Sequence, residues 1–404
     1  MSSVAFVFSV ALYALGLYLL LNVLYLLLFA VAGHRRRPAL VPPPAADCRR
    51  VCVLLPAYRA DAVILETAPL AQRHAYAGAL HVHVVADGLL PATVQALRRQ
   101  EIGVVEVAFE KSTKGKALLA ALQALPADAY DVAVVLDVDN VMAPGFLGQV
   151  NDAFGAGCRV VQGHRTAKNL DSPFAVLDAC NEEINNHLFR LGHARLGLSA
   201  ALIGSGMAFE YGYLKQLLTD IGETPGEDKE LDFRVVRDRV RIAYLPEALG
   251  YDEKIPNAGA FTTQRTRWLA AQVEFLKKYF GEGAAQLGRG NFDFFDKVLQ
   301  TLLVPRVLLL GLLGLLLVFS LGLSWLGYAV GPGPGFWAGL LAGTGAALLL
   351  ALPRRLYTRT VARALLHLPV ALGAMVLALT RIKRAKTSFL PTPHAASGAP
   401  THTP

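Results

Sequence analysis

Long stretches without a charged residue flank a more polar centre in this 404-residue chain. Residues 4–33, 307–330 and 336–352 contain no Asp, Glu, Lys or Arg. A helix needs about 20 apolar residues to cross a bilayer, so the first two stretches are long enough and the third is slightly short. Residues 364–380 are comparably apolar but contain a His and a Pro, which leaves open whether they span the membrane, lie at its surface or re-enter it.

The first apolar stretch has two interpretations, an anchor or a cleaved signal peptide. Ala30-Val31-Ala32 resembles a cleavage site, but no Lys or Arg precedes the stretch, and it is about twice as long as a signal peptide's apolar core. Three arginines at residues 35–37 follow it, and such clusters stay on the cytoplasmic side. We therefore expect an uncleaved anchor (residues 1–33), a basic, Pro-rich linker (34–48) and a cytoplasmic domain in a multi-pass cell-membrane protein.

The formal net charge of +8 raises the question of nucleic-acid binding. Most of the excess lies beside the apolar stretches, at residues 35–37, 354–355 and 381–386. That placement suits anionic lipid headgroups and membrane topology better than nucleic acid, so we expect a lipid bilayer and no nucleic acid as partner. The four cysteines form no CxxC pair, which predicts free thiols in a reducing compartment.

Between the apolar ends, residues 49–260 alternate between strand-like and helix-like patterns. Short β-branched runs predict strands at residues 51–55, 81–85, 104–109 and 132–136. Helix-like segments lie between them, at residues 91–100 and 116–125. This alternation is typical of a parallel, doubly wound α/β sheet, in which ligands bind beyond the carboxyl ends of the strands.

Polar residues stand where three of these strands end. Pro56, Ala57 and Tyr58 follow the first strand, and Asp87 follows the second. Asp87 precedes a glycine, a pair that is found both at nucleotide contacts and in simple turns. Asp137 and Asp139 follow the fourth strand, so three strand ends are predicted to meet at one crevice.

Asp137 and Asp139 are the candidate metal ligands. Residues i and i+2 of an extended segment point to the same face, so both carboxylates can address one cation. Mg²⁺ and Mn²⁺ prefer carboxylate oxygens and usually add substrate phosphates to their coordination shell. Two solvated acids in a loop are the alternative, but the position at a strand end favours a metal site.

Two further motifs are candidates for ligand contact. Lys114 lies in a basic turn that opens a helix, where its charge and the helix N–H groups can meet phosphate. Gly204, Ser205 and Gly206 permit a close approach of the backbone to a ligand. A surface turn and a packed turn are the respective alternatives.

Glu227 and Asp228 precede a helix-like segment, so they are either capping residues or a base for a hydroxyl proton.

Gln264, Arg267 and Trp268 form the most specific motif. They lie in an amphipathic helix, and we predict that residues 261–298 lie at the bilayer surface. Interfacial anchoring alone is the alternative for Arg267 and Trp268.

Together these motifs resemble the membrane-integrated family-2 glycosyltransferases, which include cellulose, hyaluronan and poly-N-acetylglucosamine synthases. The resemblance covers residues 51–280. It rests on the order of Pro56-Ala57-Tyr58, Asp87, Lys114-Gly115, Asp137-Val138-Asp139, Gly204-Ser205-Gly206, Glu227-Asp228 and Gln264-x-x-Arg267-Trp268.

The resemblance implies an α/β domain of the GT-A fold, Rossmann-like and inserted between transmembrane helices. It also implies inverting transfer from a UDP-sugar-like donor, with Mg²⁺ or Mn²⁺ as cofactor. Asp139 would ligate the metal, Asp137 the metal and the ribose, and Asp87 the base. The other implied nucleotide contacts are Pro56, Ala57, Tyr58 and Lys114.

On the acceptor side, the resemblance implies that Asp228, beside Glu227, is the general base. The implied contacts to acceptor and diphosphate are Gly204, Ser205, Gly206, Gln264, Arg267 and Trp268. The chain departs from the family at three places: Ala86 replaces a second Asp before Asp87, Gly226 replaces a Thr, and residues 389–392 replace a Trp-x-x-Thr pattern. The last change leaves the role of the C-terminal segment open.

The acceptor stays undecided between a polysaccharide and a lipid, and other exopolysaccharide-assembly proteins are possible partners. A catalytically silent sugar-nucleotide-binding subunit is the alternative function, although the metal and base carboxylates are all present. A transporter would carry polar residues inside its spans, whereas here they cluster between them. We expect a membrane region at residues 299–388 and a disordered tail at residues 389–404.

Overall fold

The computed structural model describes residues 3–35, 44–45, 47–224, 226–255 and 257–385. Most of the predicted linker and the whole predicted tail therefore lie outside the described residues. The strands are β1 (Val51–Tyr58), β2 (Leu80–Asp87), β3 (Gly103–Val107), β4 (Val132–Val135), β5 (Val141–Met142), β6 (Val160–Ala167), β7 (Met207–Glu210) and β8 (Ile242–Asp252).

Helices cover both faces of the sheet and continue beyond it. Those of the central region are α2 (Asp61–Gln72), α3 (Pro91–Arg99), α4 (Lys114–Ala124), α5 (Phe146–Gly155), α6 (Pro173–Asn185), a π-helix (Asn186–Gly192), α7 (His193–Arg195), α8 (Tyr211–Leu218) and α9 (Glu227–Arg237). The flanking helices are α1 (Ser3–Ala32), α10 (Ala258–Gly288), α11 (Phe292–Leu302), α12 (Arg306–Trp325), α13 (Pro334–Ala351), α14 (Arg359–Ala364) and α15 (Leu368–Ala385).

The eight strands form one mixed sheet in the order β3-β2-β1-β4-β7-β6-β8-β5. The four strands predicted from the sequence form the parallel half, with β1 between β2 and β4. The prediction of a wholly parallel sheet is wrong, because β7 pairs antiparallel with both β4 and β6, and β5 pairs antiparallel with β8. In the same half of the sheet, β6 and β8 pair in parallel. Strand–helix alternation indicates strand positions but not the direction of a strand that enters from a loop.

The sheet is buried on both faces, which explains why its central strands are apolar without interruption. Along β1, Cys52 and Leu54 face one core, while Val51, Val53 and Leu55 face the other. This is the period of two expected of a strand with helices on both sides. Burial on both faces fixes the register and therefore the positions of the strand ends.

Four helices are long and apolar enough to cross a membrane, judged by length and composition among the described residues. They are Phe6–Ala32, Arg306–Trp325, Pro334–Ala351 and Arg359–Arg381. The second ends earlier than the apolar stretch at residues 307–330, because Gly327 turns the chain with a φ of 78°. The fourth contains α14 and most of α15, joined by a 3-10 turn at Leu365–His367.

The inner end of α1 packs on α11 and on the central domain, which comprises β1–β8 and α2–α9. The Tyr25 hydroxyl donates to Asp296 at 2.7 Å, and His193 Nε2 lies 3.1 Å from the same carboxylate. The Phe29 ring stacks on the His193 imidazole with 3.7 Å between centroids. A Cβ at Gly192 would lie 2.5 Å from the Phe29 carbonyl oxygen, so only glycine permits this approach.

Candidate functional site

The carboxyl ends of the parallel strands bring the predicted nucleotide residues to one edge of the sheet. Pro56, Ala57 and Tyr58 belong to β1 itself rather than following it, and Tyr58 pairs in register with Asp87 at the end of β2. The Leu136 N–H donates to the Leu54 carbonyl at 3.1 Å, so Asp137 leaves the sheet beside the same edge.

Lys114 lies at the centre of the predicted crevice beyond this edge. It is the first residue of α4, whose N-cap Thr113 accepts from the Lys116 N–H. The Lys114 ammonium donates to Asp137 and, at 2.6 Å, to the Gly204 carbonyl; it lies 3.9 Å from Glu227. Burial opposes its charge, but the nearby Asp137 and Glu227 carboxylates raise the pKa of Lys114 overall.

The acids Glu227 and Asp228 open α9 and face Lys114. A Cβ built at Gly204 would lie 3.7 Å from both the Asp228 carboxylate and the Lys114 ammonium, so these groups adjoin one another. Gly204 has a φ of 82°, which suits glycine. Burial raises the pKa of both Glu227 and Asp228, against the opposing effect of Lys114.

Arg267 closes the crevice from α10. Burial lowers the pKa of its guanidinium, and the charges of Glu227 and Asp137 partly restore it, which places Arg267 near both acids. Trp268 is 42% exposed, and the Arg265 guanidinium stacks 4.1 Å from its ring. Gln264 Oε1 is buried and has no hydrogen-bond partner among the described residues. We call the residues around the Lys114 ammonium the crevice layer: Asp137, Lys114, Glu227, Asp228 and Arg267.

Asp139 turns away from Lys114 into a buried position. Its Oδ2 accepts from the Glu253 N–H at 3.0 Å, and its Oδ1 accepts from the Asn140 amide at 3.1 Å. No cluster of three or more His, Cys, Asp or Glu side chains gathers for a metal within the described ranges. Two carboxylates at a strand end suit a hard cation such as Mg²⁺ or Mn²⁺ when substrate phosphates complete its shell, so the donor set fits that cofactor.

Asp87 is buried at the far side of the crevice and accepts a hydrogen bond from the Ser112 hydroxyl. The Arg59 side chain lies over Gly88. A Cβ added to Gly88 would be 3.2 Å from the Cγ of Arg59. Ser112 was not predicted from the sequence. Its position two residues before Lys114 is the only signal that indicated it.

Ser205 does not face the crevice. It is fully buried, donates to Asn140 and accepts from the Asp137 N–H at 2.9 Å. The buried Gln162 amide donates to the Ser205 carbonyl at 2.9 Å and accepts from Ile203 N–H at 3.1 Å. Ser205 therefore holds the Asp137 turn in place, and its predicted contact with acceptor or diphosphate stays a prediction.

Beneath the crevice lies a network of buried charges around Arg165 on β6. Its guanidinium lies 2.9 Å from Glu182, 3.6 Å from Asp252 and 3.9 Å from Asp137. Lys254 pairs with Asp252 at 2.8 Å. Burial works against the charge of Glu182, but Arg165, Lys254 and Arg190 hold its pKa far below the ordinary range.

We call the polar residues under the Asp137 turn the support layer: Ser205, Asn140, Gln162, Arg165 and Glu182. Sequence reasoning missed all of them except Ser205, which it assigned to the acceptor or diphosphate. Asn140 follows Asp139 directly, so its position was a usable signal. Gln162, Arg165 and Glu182 belong to no short motif, and only the pairing of β6 with its neighbours brings them under Asp137.

Two curated relatives share part of the chain. An N-acetylglucosaminyltransferase of Rhizobium leguminosarum bv. viciae is 25% identical over 280 residues, covering 63% of this chain and 64% of its own length. An N-acetylglucosaminyltransferase of Mesorhizobium japonicum is 28% identical over 261 residues, covering 56% of this chain and 57% of its own. The chain thus spans less than two thirds of the length of either relative.

A solved structure supports the fold. The mannosyltransferase PcManGT from Pyrobaculum calidifontis, in complex with GDP-Man and Mn²⁺, has a TM-score of 0.54 and 19% identity. The likeness covers 92% of this chain and 99% of that one. The prediction of a GT-A fold, a Rossmann-like α/β domain with flanking apolar helices, is confirmed.

The family profile described as "Glycosyltransferase like family 2" matches residues 49–271. This range exceeds half of the chain and contains every predicted site residue, from Pro56 to Trp268. The predicted enzyme class, a glycosyltransferase, is confirmed at the level of this family. The chain therefore belongs to the glycosyltransferase-like family 2, as its ordered motifs predicted.

Proposed function

We propose that the chain is an inverting membrane glycosyltransferase. It moves a sugar from a nucleoside-diphosphate sugar to a polysaccharide or lipid acceptor at the cytoplasmic face of the cell membrane. The observation that carries this proposal is the position of the Lys114 ammonium between Asp137 on one side and Glu227 on the other. Carboxylates from distant segments thereby meet in one crevice beside a cation.

The crevice layer supplies the groups for a single displacement. Asp228 accepts the proton of the acceptor hydroxyl as its oxygen bonds to the anomeric carbon and the bond from that carbon to the diphosphate breaks. Base catalysis of this kind contributes about 100- to 10,000-fold. Arg267 and Lys114 stabilise the charge that develops on the leaving diphosphate.

Asp137 and Asp139 are the residues that would hold Mg²⁺ or Mn²⁺. A bound cation of this kind supplies Lewis-acid stabilisation of the diphosphate. Asp87, positioned by Ser112, is assigned to the nucleotide base, beside Tyr58 at the end of β1. The exposed face of Trp268 is assigned to the acceptor, because aromatic faces suit the apolar face of a sugar ring.

The names of the two relatives direct the choice of donor. Both are N-acetylglucosaminyltransferases, so UDP-N-acetylglucosamine is the first donor to test. The four apolar helices and the basic residues beside them favour a bilayer as the place of reaction. Partners from exopolysaccharide assembly remain part of the proposal for a polymeric product.

The test incubates membranes containing the full chain with a panel of radiolabelled UDP-sugars and GDP-mannose. Products are then sorted into lipid-extractable and polymeric fractions. We expect label from one donor in one fraction, absent in Asp228→Asn and retained in Glu210→Gln, an exposed acid on β7. Donor binding without any transfer, across the panel, would instead support a catalytically silent subunit.

A further inference from the structure

The last helices of the described chain pack on the family-matched region. The C-terminal helical segment, residues 354–385, contains α14 and α15. Val361 and Ala364 of α14 share an apolar cluster with Val176 and Cys180 of α6. Four residues of α15 share another with Phe174, Ile255, Phe261 and Leu269: Ala371, Ala374, Met375 and Ala378.

The partner of α15 fixes its depth relative to the bilayer. Between Phe261 and Leu269, α10 carries Arg267 of the crevice layer and Arg265, which forms a buried ion pair with Asp178. Placing an arginine in the hydrocarbon interior of a bilayer costs free energy. In addition, the nucleotide-sugar donor must reach the crevice from water. This stretch of α10 therefore lies outside the hydrocarbon, and α15 lies with it.

The contact between α15 and α12 leads to the same depth. Val307 and Leu308, directly after the first residue of α12, pack against the α15 cluster, and Leu372 lies over Gly311. These α12 residues belong to its first two turns. The middle of α15 is thus level with the beginning of a candidate span rather than with its centre.

The opposite face of the segment is apolar and exposed. Leu366, Val370, Val376, Leu377 and Leu379 are between 42% and 78% exposed. On a helical projection they lie away from the cluster that faces α10. Exposed apolar faces formed by several large side chains usually mark a surface that contacts another protein or a membrane.

The charges beside this face identify the partner. Arg354, Arg355, Arg359 and Arg363 are exposed, and Arg381 is the last residue of the fourth candidate span. The sequence contains no Asp or Glu from residue 297 to its end. Arg355 pairs with Glu183 of α6 at 2.8 Å, which ties this cationic edge to the central domain. A cationic edge beside an apolar face complements an anionic phospholipid surface.

We propose that residues 354–385 lie flat on the bilayer surface that faces the central domain and do not cross the membrane. The apolar face contacts the upper acyl chains, and the arginines contact anionic phospholipid headgroups. The chain then crosses the membrane with three helices, and residue 385 ends on the side of the central domain. This inference rests on the proposed function in one respect, that the donor reaches the crevice from water. The depth and sidedness measurements below need no donor or acceptor, so they can fail or succeed separately from the transfer assay.

Depth measurement separates a surface helix from a span. Nitroxide labels are placed singly at Leu366→Cys and Leu377→Cys, in full-length protein with Cys48→Ser and Cys158→Ser, in vesicles of phosphatidylcholine and phosphatidylglycerol. Eleven residues of a spanning helix rise about 16 Å. Leu315→Cys on α12 and Leu326→Cys, directly after the last residue of α12, have the same spacing and serve as the spanning control.

We expect the Leu366 and Leu377 labels both to be shallow, with accessibility to a nickel chelate close to that of the Leu326 label and well above that of the Leu315 label. In a span over residues 359–381, both labels would instead lie within about 11 Å of the bilayer centre. A nickel accessibility of the Leu366 label as low as that of the Leu315 label would overturn the proposal. Strong spin–spin broadening at Leu366 would also overturn it, because a second copy would then cover this face.

Sidedness gives a second, independent test, made at the cationic edge rather than in the apolar face. Arg381→Cys and Gln100→Cys are labelled with a membrane-impermeant maleimide in sealed vesicles of each orientation. We expect both sites to react in the same vesicles; reaction in opposite ones would overturn the proposal.

The lipid preference is tested with Arg359→Gln/Arg363→Gln, and with Arg98→Gln/Arg99→Gln on α3 as control. Adding phosphatidylglycerol should lower the nickel accessibility of the Leu366 label in the parent and in the control. The response should be lost in the first double variant. An equal response in both variants would exclude the headgroup contact.

Discussion

The crevice layer of the candidate site consists of five ionisable residues, whereas the support layer combines three neutral polar residues with the ion pair of Arg165 and Glu182. In the crevice layer, Glu227 and Asp228 lie side by side, and burial raises the pKa of both. In the support layer, Gln162 and Ser205 hydrogen-bond to backbone and side-chain partners near 3 Å. The comparison indicates that the crevice layer is built for chemistry and the support layer for position.

The largest expected effect lies in the crevice layer. Asp228→Asn removes the proton acceptor and keeps the size of the side chain. We expect kcat to fall by about 100- to 10,000-fold. Donor affinity, measured by calorimetry, and the thermal midpoint should stay close to the parent. Turnover near that of the parent would contradict the assignment of the base.

The support layer is broken by Arg165→Met. Glu182 and Asp252 then lose a buried partner, and removal of one member of a buried ion pair costs about 3–5 kcal/mol in unfolding free energy. Denaturant unfolding measures the loss. Arg159→Met is the control, because its pair with Glu210 is exposed, and such pairs contribute about 1 kcal/mol or less. Equal losses in both variants would remove the distinction between the layers.

Asp139 stands between the two layers, since it is buried but assigned to the metal. Asp139→Ala should weaken Mn²⁺-dependent donor affinity by about 100-fold or more, because even the loss of a residue that only supports a metal ligand costs about 10- to 100-fold. Asp139→Asn keeps the hydrogen-bond acceptor toward the Glu253 N–H and serves as the control for folding. Undiminished Mn²⁺-dependent affinity in the Ala variant would refute the metal role.

Ser112→Ala sharpens the comparison at the nucleotide end. The variant loses a hydrogen bond to a charged carboxylate, an interaction of about 1.5–3 kcal/mol. We expect the donor KM to rise by about tenfold or more with kcat little changed. Ser112→Thr retains the hydroxyl and should behave as the parent does. An unchanged KM in the Ala variant would show that Asp87 needs no such support.

The smallest expected effect is on the pH profile. A base acts in its ionised form, so kcat should fall as pH drops through the raised pKa of the Glu227–Asp228 pair, above the ordinary carboxyl range. Lys114 lowers the pKa of both acids, so Lys114→Met should move this limb to higher pH, whereas Lys114→Arg should not. A limb at an ordinary carboxyl pKa would contradict the effect of burial.

The parallel half of the fold was predictable because its strands are short apolar runs with helices between them. The prediction extended to the edge of the sheet at which Tyr58, Asp87 and Asp137 lie, although β1 runs three residues beyond its predicted end at residue 55. The other half of the sheet, β5 to β8, was missed. The two strands that pair only antiparallel, β5 and β7, have only two and four residues and carry no periodic signal of their own.

The site shows the same division. Short motifs indicated Asp137, Lys114, Glu227, Asp228 and Arg267, and the structure brings these residues together. The support residues were missed because their role depends on contacts between distant segments. The roles assigned to individual site residues, the metal, the acceptor and the domain boundaries stay predictions.

The close contact of Phe29 with Gly192, together with the Tyr25–Asp296 bond, holds the inner end of α1 against two different parts of the chain. Under the function proposed above, with α1 anchored in the bilayer, these contacts would set the distance between Asp228 and the lipid surface. The length of an acceptor's headgroup or leading sugars would then decide whether its hydroxyl reaches Asp228, and this selection would need no contact between α1 and the acceptor.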